Sequence, residues 1–231
     1  MASTKYLRDY VTYIQDTVPV GELKLERASI ERAVQEAVAI YSTDEPREVT
    51  TDITGDGTYT YTLPTGWVDG FSQVIRLEFP AGSQDPRSDT MKAETGIIYD
   101  AGTGTNKLRM RFHTPGTSDT IRLTYTVPHT LARASSTIPD PDFEAVACLS
   151  TAKTLRMLAG RFLMQTDPHL RGDNMAFRSR SDQLLSLAKI YDETYRRRLG
   201  LPESGPSPAS VTFDLDPRPS WGTSQLTHYR R

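Results

Sequence analysis

The sequence predicts an α+β fold: a helical core of about four helices, an inserted antiparallel β unit, and an extended C-terminal arm. Three observations carry that prediction. Apolar residues recur every three or four positions at both ends of the chain, alternate every second position between residues 47 and 128, and lose any sustained period after Leu201. The 231 residues therefore divide into N-terminal helices (1–46), the β unit (47–128), C-terminal helices that complete the helical core (129–200) and the arm (201–231).

The first helix follows from Leu7, Tyr10, Val11, Ile14 and Val18, which fall on one face before Pro19 and Gly21 end the pattern. A second spans about Leu25 to Tyr41. It has Ile30, Val34, Ala37, Val38 and Tyr41 on one stripe and Glu26, Arg27, Glu31, Arg32, Gln35 and Glu36 off it.

From Arg47 the period becomes two. Val49, Thr51 and Ile53 alternate with polar neighbours, "GDG" (55–57) reads as a turn, and "TYTYTL" resumes the alternation, so this stretch is expected to be a hairpin. Further strands are expected at "VIRLEF" (Ile75, Leu77 and Phe79 on one side), "GIIYD", "KLRMRFH" (Leu108, Met110, Phe112) and "TIRLTYTV" (Ile121, Leu123, Tyr125, Val127). Such alternation implies an antiparallel sheet with one dry and one wet face.

Helical spacing returns in "IPDPDFEAVACLSTAKTLRMLAGRF", where Asp140 is expected to cap, Pro141 fits the first turn, and Phe143, Val146, Ala147, Leu155, Leu158 and Phe162 form the buried side. The pattern stops near Asp167 and Pro168. A last helix is expected from about Asn174 to Leu199, with Phe177, Leu184, Ala188, Tyr191 and Tyr195 near heptad spacing and Gly200 as its stop. Arg196, Arg197 and Arg198 suit the negative end of its dipole.

Composition excludes several functions. The charge of -2, from 27 basic and 29 acidic residues, offers no basic surface to steer nucleic acid. The charge is uneven along the chain: residues 1–57 hold 6 Lys/Arg against 11 Asp/Glu, and residues 171–200 hold 7 against 4, so that opposite ends of two copies could attract. No apolar run approaches the ~18 residues of a membrane span, and "MASTKYLRDY" lacks the apolar core of a signal peptide, so a soluble protein made without a secretion signal is expected.

A search for chemistry returns little. The histidines His113, His129, His169 and His228 include no i, i+4 pair, and the lone Cys148 lies in an apolar helical context as a buried thiol, so no metal and no cofactor is expected. "GTG" (102–104) and "GDG" read as strand turns, because neither precedes a helix N-terminus that could hold a phosphate. Asp140 and Asp142 could serve as acid and base, but capping explains them with less. "RGD" (171–173) reads as a loop between helices. Lys107, Arg109, Arg111 and Arg122 could form a phosphate-binding patch, although a solvated sheet face is the simpler reading. No catalytic residues, and hence no enzyme, are expected.

The layout resembles the head-to-tail adaptor (connector) proteins of tailed bacteriophages, which dock under the portal ring. The resemblance rests on "YTYTLPTGWVDGFSQVIRLEFPAG", with its Leu63-Pro64 strand end and Trp67 loop, and on "LTYTVPHTL", "STIPDPDFEAVACLSTAKTLRMLA" and the helix ending in "YDETYRRRLG". It covers most of residues 5–200.

That resemblance implies a structural virion protein at the head-tail interface, made in the host cytoplasm. Its copies would form a ring, usually dodecameric, that extends the DNA channel and gives tail components a platform. Its partners would be the portal protein, a downstream tail or nozzle protein, neighbouring copies, and viral DNA that passes without sequence-specific binding. The arm, which opens with the proline- and serine-rich "PESGPSPAS", would dock on the portal. Trp221 and Tyr229 would anchor it and Arg230 and Arg231 would pair with portal carboxylates; alternatively, Phe213 and Leu215 of "VTFDLD" would add a strand to an edge of the portal or of a neighbouring copy. Arg196, Arg197 and Arg198 become candidate inter-subunit charge contacts, and Glu26, Glu31 and Glu36 a candidate channel lining. From a different class, a β-rich binding module for a sugar or protein ligand on a helical scaffold also fits the pattern. Such a module would keep its function when cut at about Leu201.

Overall fold

A computed structural model describes residues 5–18, 25–79, 81, 95–110, 114–164 and 173–202, with backbone alone over 173–179. Among the described residues, four α-helices and two three-stranded antiparallel sheets make an α+β fold.

The helical unit is built around α3 (Phe143–Met164), flanked by α1 (Leu7–Thr17), α2 (Arg27–Asp44) and α4 (Asp173–Arg198). Sequence spacing predicts one buried side for α3, yet every residue from Ala145 to Ala152 is buried, because three helices surround its first half. The side chains there are mostly small. Ala145, Ala147, Ala152 and, on α4, Ala188 let backbones approach. The hydroxyls of Ser150, Thr151 and Thr154 donate to the carbonyls of Val146, Ala147 and Ser150, so none enters the core unpaired. Leu155, Val34, Ile14 and Tyr10 fill the space between helices, and each fully buried aliphatic side chain stabilises the unit by about 1.5–3 kcal/mol.

Helix ends follow local chemistry. Asp9 accepts the Tyr6 backbone N–H at 2.9 Å and so satisfies a donor ahead of α1. α2 runs past the expected Tyr41 to Asp44, until Pro46 forbids helical geometry at Glu45. At the end of α4, Gly200 takes φ +65°, its N–H donates to Arg197 and that of Leu201 donates to Arg196, a Schellman closure that matches the expected stop. The start of α3 differs from expectation. Residues Asp140–Asp142 form a 3₁₀ turn entered from Pro139, and no side chain caps it; Asp142 instead accepts the Tyr41 hydroxyl at 2.6 Å.

The β unit holds two sheets, not one. In the first, β1 (Arg47–Thr54) and β3 (Val74–Glu78) flank β6 (Thr120–Val127); in the second, β2 (Thr60–Thr62) and β4 (Thr95–Asp100) flank β5 (Thr105–Met110). Their inner faces share one core of Tyr61, Leu77, Leu108, Met110, Ile121, Leu123, Tyr125 and Val127. The expected hairpin across "GDG" is absent. β1 pairs with β6 along its whole length, Ile53 opposite Ile121 and Val49 opposite Tyr125, while β2 lies in the other sheet. Alternation reports a strand's faces and is blind to its neighbour. The "GDG" loop packs on residues 115–119, where the Gly55 N–H donates to Asp119 and a Cβ on Gly55 would stand 2.3 Å from the Gly116 oxygen. "GTG" does turn a hairpin, between β4 and β5.

One strand departs from strict alternation. The β3 register slips between Val74 and Arg76, a bulge that turns Ile75 out to 52% exposure and leaves Val74, Leu77 and Phe79 inward.

The two cores share no residue. The chain enters the β unit at Arg47 and leaves it at Val127, and these two residues are paired in the ladder. The leaving segment ties directly onto the helices: the His129 N–H donates to Ser42 Oγ at 2.9 Å, Gln35 donates to the Leu131 carbonyl, and the Leu7 N–H donates to the Ala132 carbonyl.

Candidate functional site

The closing turn of α4 meets the end of α2 and the middle of α3 around a surface hollow of about 510 Å3, lined among others by Ile40, Asp44, Arg156, Asp192, Arg196 and Pro202. The Tyr195 hydroxyl donates to Asp44 Oδ2 at 2.6 Å and fixes one wall. Arg156 pairs with Asp192 Oδ2 across α3 and α4, while Asp192 Oδ1 is buried and finds no donor among the described residues. Sequence reading missed this convergence. Its one visible signal was Asp192 four residues before Arg196, which places both on one face of α4.

The three arginines at the end of α4 do not act alike. Arg198 pairs with Glu144 of its own chain, so this guanidinium ties α4 to the start of α3. Arg196 borders the hollow, and Arg196 and Arg197 are both exposed.

Glu26, Glu31 and Glu36 lie off the buried stripe of α2. Glu26 stands exposed at the N-cap, Glu31 accepts from Arg27 at 2.8 Å, and Glu36 lies 3.6 Å from Lys153. Phe213, Leu215, Trp221, Tyr229, Arg230 and Arg231 lie outside the described residues, as do Arg111 and the first two residues of "RGD"; Asp173 is the first residue of α4.

Arg122 does not join Lys107 and Arg109 in a basic patch. Arg122 belongs to the first sheet, where Asp52 takes both its Nε and Nη2 at 2.8 and 3.0 Å. Lys107 belongs to the second sheet and sits 2.6 Å from Asp100. That ammonium, with the Thr103 hydroxyl and the Gly102 N–H, holds the Asp100 carboxyl down at about 2.

Cys148 is buried with Tyr13 Oη 3.9 Å from its sulfur, and burial raises its pKa. Asp142 binds Tyr41 rather than sharing a proton with Asp140. The Trp67 loop has a clear structural job: its indole stacks at 5.7 Å from the Tyr125 ring, and a Cβ on Gly66 would come within 2.8 Å of the Tyr125 hydroxyl. Among the described residues no cluster of three or more His, Cys, Asp or Glu is placed to hold a metal ion, and no helix is long and apolar enough to cross a membrane.

No family model matches the chain, and no curated protein matches it. Several chains in solved structures are similar, among them two from gene transfer agent particles. One, from "Virion of native gene transfer agent (GTA) particle", is 14% identical over 80% of this chain and 87% of its own, with a TM-score of 0.25. The other, from "Neck of empty GTA particle computed with C6 symmetry", is 13% identical over 77% and 87%, with a TM-score of 0.27. Superpositions this loose carry no argument about fold or function.

Proposed function

We propose that the chain is a structural protein of a phage-like virion and, more specifically, a head-to-tail adaptor whose copies form a ring under the portal. The coarser part rests on the sequence resemblance over most of residues 5–200. What supports the finer part is the division into two cores joined at one paired root, Arg47 opposite Val127. A helical body of this kind can pack side by side with its copies while the β sandwich projects to meet the next component. The division at 1–46, 47–128, 129–200 and 201–231 belongs to the same proposal.

In this reading the arm leaves the body at the hollow bordered by Leu201 and Pro202 and engages the portal through Trp221, Tyr229, Arg230 and Arg231. Prolines pre-extend it and lower the entropy lost on docking. Arg196 and Arg197, exposed on the body, are its candidate contacts with a neighbouring copy, and Glu26, Glu31 and Glu36 its candidate lining toward DNA.

The test is co-sedimentation with purified portal rings of the full chain and of a chain ending at Leu201, followed by imaging of the sediment. Binding by the full chain alone, as a ring, supports the adaptor and its arm. Binding by neither removes the adaptor reading and turns attention to a ligand of the β unit; equal binding by both removes the arm's role.

A further inference from the structure

The second sheet ends in β4, and β4 is unusual in what it leaves uncovered. Among the described residues its outer edge has no strand partner. Ile97 is opposite Leu108, and Leu108 opposite Tyr61, so the three form one row on the inner face; yet Leu108 is fully buried and Ile97 is 41% exposed. Tyr99, one row along on the same face, is 68% exposed. The apolar face of the sheet thus runs one strand further than the core that covers it, an arrangement that natural edge strands normally avoid.

The other face of β4 is equally particular. Gly96 stands opposite Arg109, and a Cβ there would meet open space. Arg109 is exposed, and unlike Lys107 and Arg122 it is free of any described ion pair in its row, which holds Thr60 and Gly96. A guanidinium can therefore lie across the glycine toward whatever flanks β4.

The chain itself contains a segment with the matching pattern. In "VTFDLD" (211–216) Val211, Phe213 and Leu215 alternate with Thr212, Asp214 and Asp216, and Pro217 ends the run. Laid along β4 with its apolar side inward, such a strand would place Phe213 and Leu215 beside Ile97 and Tyr99. Asp214 or Asp216 would then lie on the face where Arg109 reaches past Gly96, one strand spacing of about 4.8 Å beyond β4. The carboxylate of Asp100 on that face is already neutralised by Lys107, so it does not compete for Arg109.

We propose that residues 211–216 of this chain pair with β4 as a fourth strand of the second sheet, their apolar residues covering Ile97 and Tyr99 and their carboxylates meeting Arg109. The pairing does not depend on the adaptor reading, since it is an interaction of the protein with its own sequence. It leaves the stretch from Pro217 onward to reach another partner.

Strand pairing makes a parity rule that an experiment can read. In the full-length chain, cysteine pairs are introduced at Phe213 with Tyr99, Phe213 with Ile97 and, as the opposite-face control, Phe213 with Ile98; the buried Cys148 stays in place. Mild oxidation is expected to form a disulfide with position 97 or 99 and to lose it with position 98. Monomer or dimer mass of the product tells which copy supplies the strand. Equal cross-linking at all three positions, or none, overturns the proposal, as does a Tyr99-to-Tyr99 cross-link between two copies in preference to Phe213, which would mean that β4 pairs with itself. A measurement without cysteines guards against poor folding: in full-length F213D/L215D, amide exchange of β4 should accelerate while that of β6 in the other sheet stays unchanged. Unchanged exchange at β4 overturns the pairing.

Discussion

The Tyr195 hydroxyl donates to Asp44 Oδ2 at 2.6 Å, so the last turn of α4 is fastened to the last turn of α2 just before the chain enters the β unit. A second bond of the same kind, Tyr41 to Asp142, fastens α2 to the start of α3. Both tyrosines are buried to within a few per cent while the carboxylates lie nearer the surface. Together they lock the end of the helical unit from which the β unit hangs.

Removing the first bond should be felt without loss of packing. Tyr195→Phe keeps the ring and deletes the donor, so a loss of about 1–2 kcal/mol is expected, read as a lower midpoint in urea with an unchanged slope. A slope that fell as well would mean that the helical unit had come apart from the β unit.

Alkaline pH should weaken the fold through the same residues. Burial first, then the neighbouring carboxylates, raises Tyr10, Tyr41 and Tyr195 well above the ordinary tyrosine value of 10.0. Tyr13 is pushed up to about 12, first by burial and then by Cys148. The native state then keeps protons that the unfolded chain releases above its own pKa, so stability is whole below pH 10 and falls as pH rises beyond it. The share of the tyrosinate absorbance at 295 nm that comes from these buried tyrosines should appear together with loss of helical circular dichroism, not ahead of it.

His129 should act at the other limb. Burial lowers its pKa below 6.5, and the ring stacks 4.9 Å from Tyr41 with Nδ1 2.9 Å from the Thr137 carbonyl. A depressed histidine contributes stability above the unfolded pKa and loses it as pH falls through 6.5 and below. Comparison of thermal midpoints at pH 7.5 and 5.5 should show a drop in the wild type that is smaller in His129→Gln.

Close helix packing leaves no room at Ala188. The residue is fully buried on α4 against α3, so Ala188→Leu should cost about 1–3 kcal/mol by overpacking, whereas Leu155→Ala should cost about 2–5 kcal/mol through the cavity it leaves. Calorimetry that found either change neutral would contradict this account of the helical core.

Arg198 offers a test of whether an arginine at the end of α4 serves its own chain. Arg198→Glu should destabilise the isolated chain, and the reversed pair Arg198→Glu with Glu144→Arg should restore it. Exposed Arg197→Glu should cost the isolated chain only about 0.3–1 kcal/mol, through the unfavourable charge at the negative end of α4, so that any larger defect appears on assembly.

Much of this was legible in the sequence because it depends on period alone. Ile121, Leu123, Tyr125 and Val127 face inward as their alternation requires, and Gly200 closes α4 where a left-handed residue was needed. What depends on partners was not legible. Alternation in β1 could not reveal that its neighbour is β6 and not β2, and Ile75 looked like a core residue because a bulge carries no local signal. Asp140 had the chemistry of a cap, but the 3₁₀ turn took that place and Asp142 was claimed by a tyrosine a hundred residues earlier. The hollow beside Asp192 required three helices to be in place before its residues could be seen as neighbours.

The β unit enters and leaves through a single rung of one ladder, Arg47 paired with Val127. Paired residues in an antiparallel ladder stand about 5 Å apart at their Cα atoms, a gap that a single tight turn can close. Mechanically the sandwich is thus an interchangeable head on a common handle: it can be enlarged, swapped or shed in evolution without recutting the helices that hold it. The rate at which sequences drift should differ on the two sides of that rung.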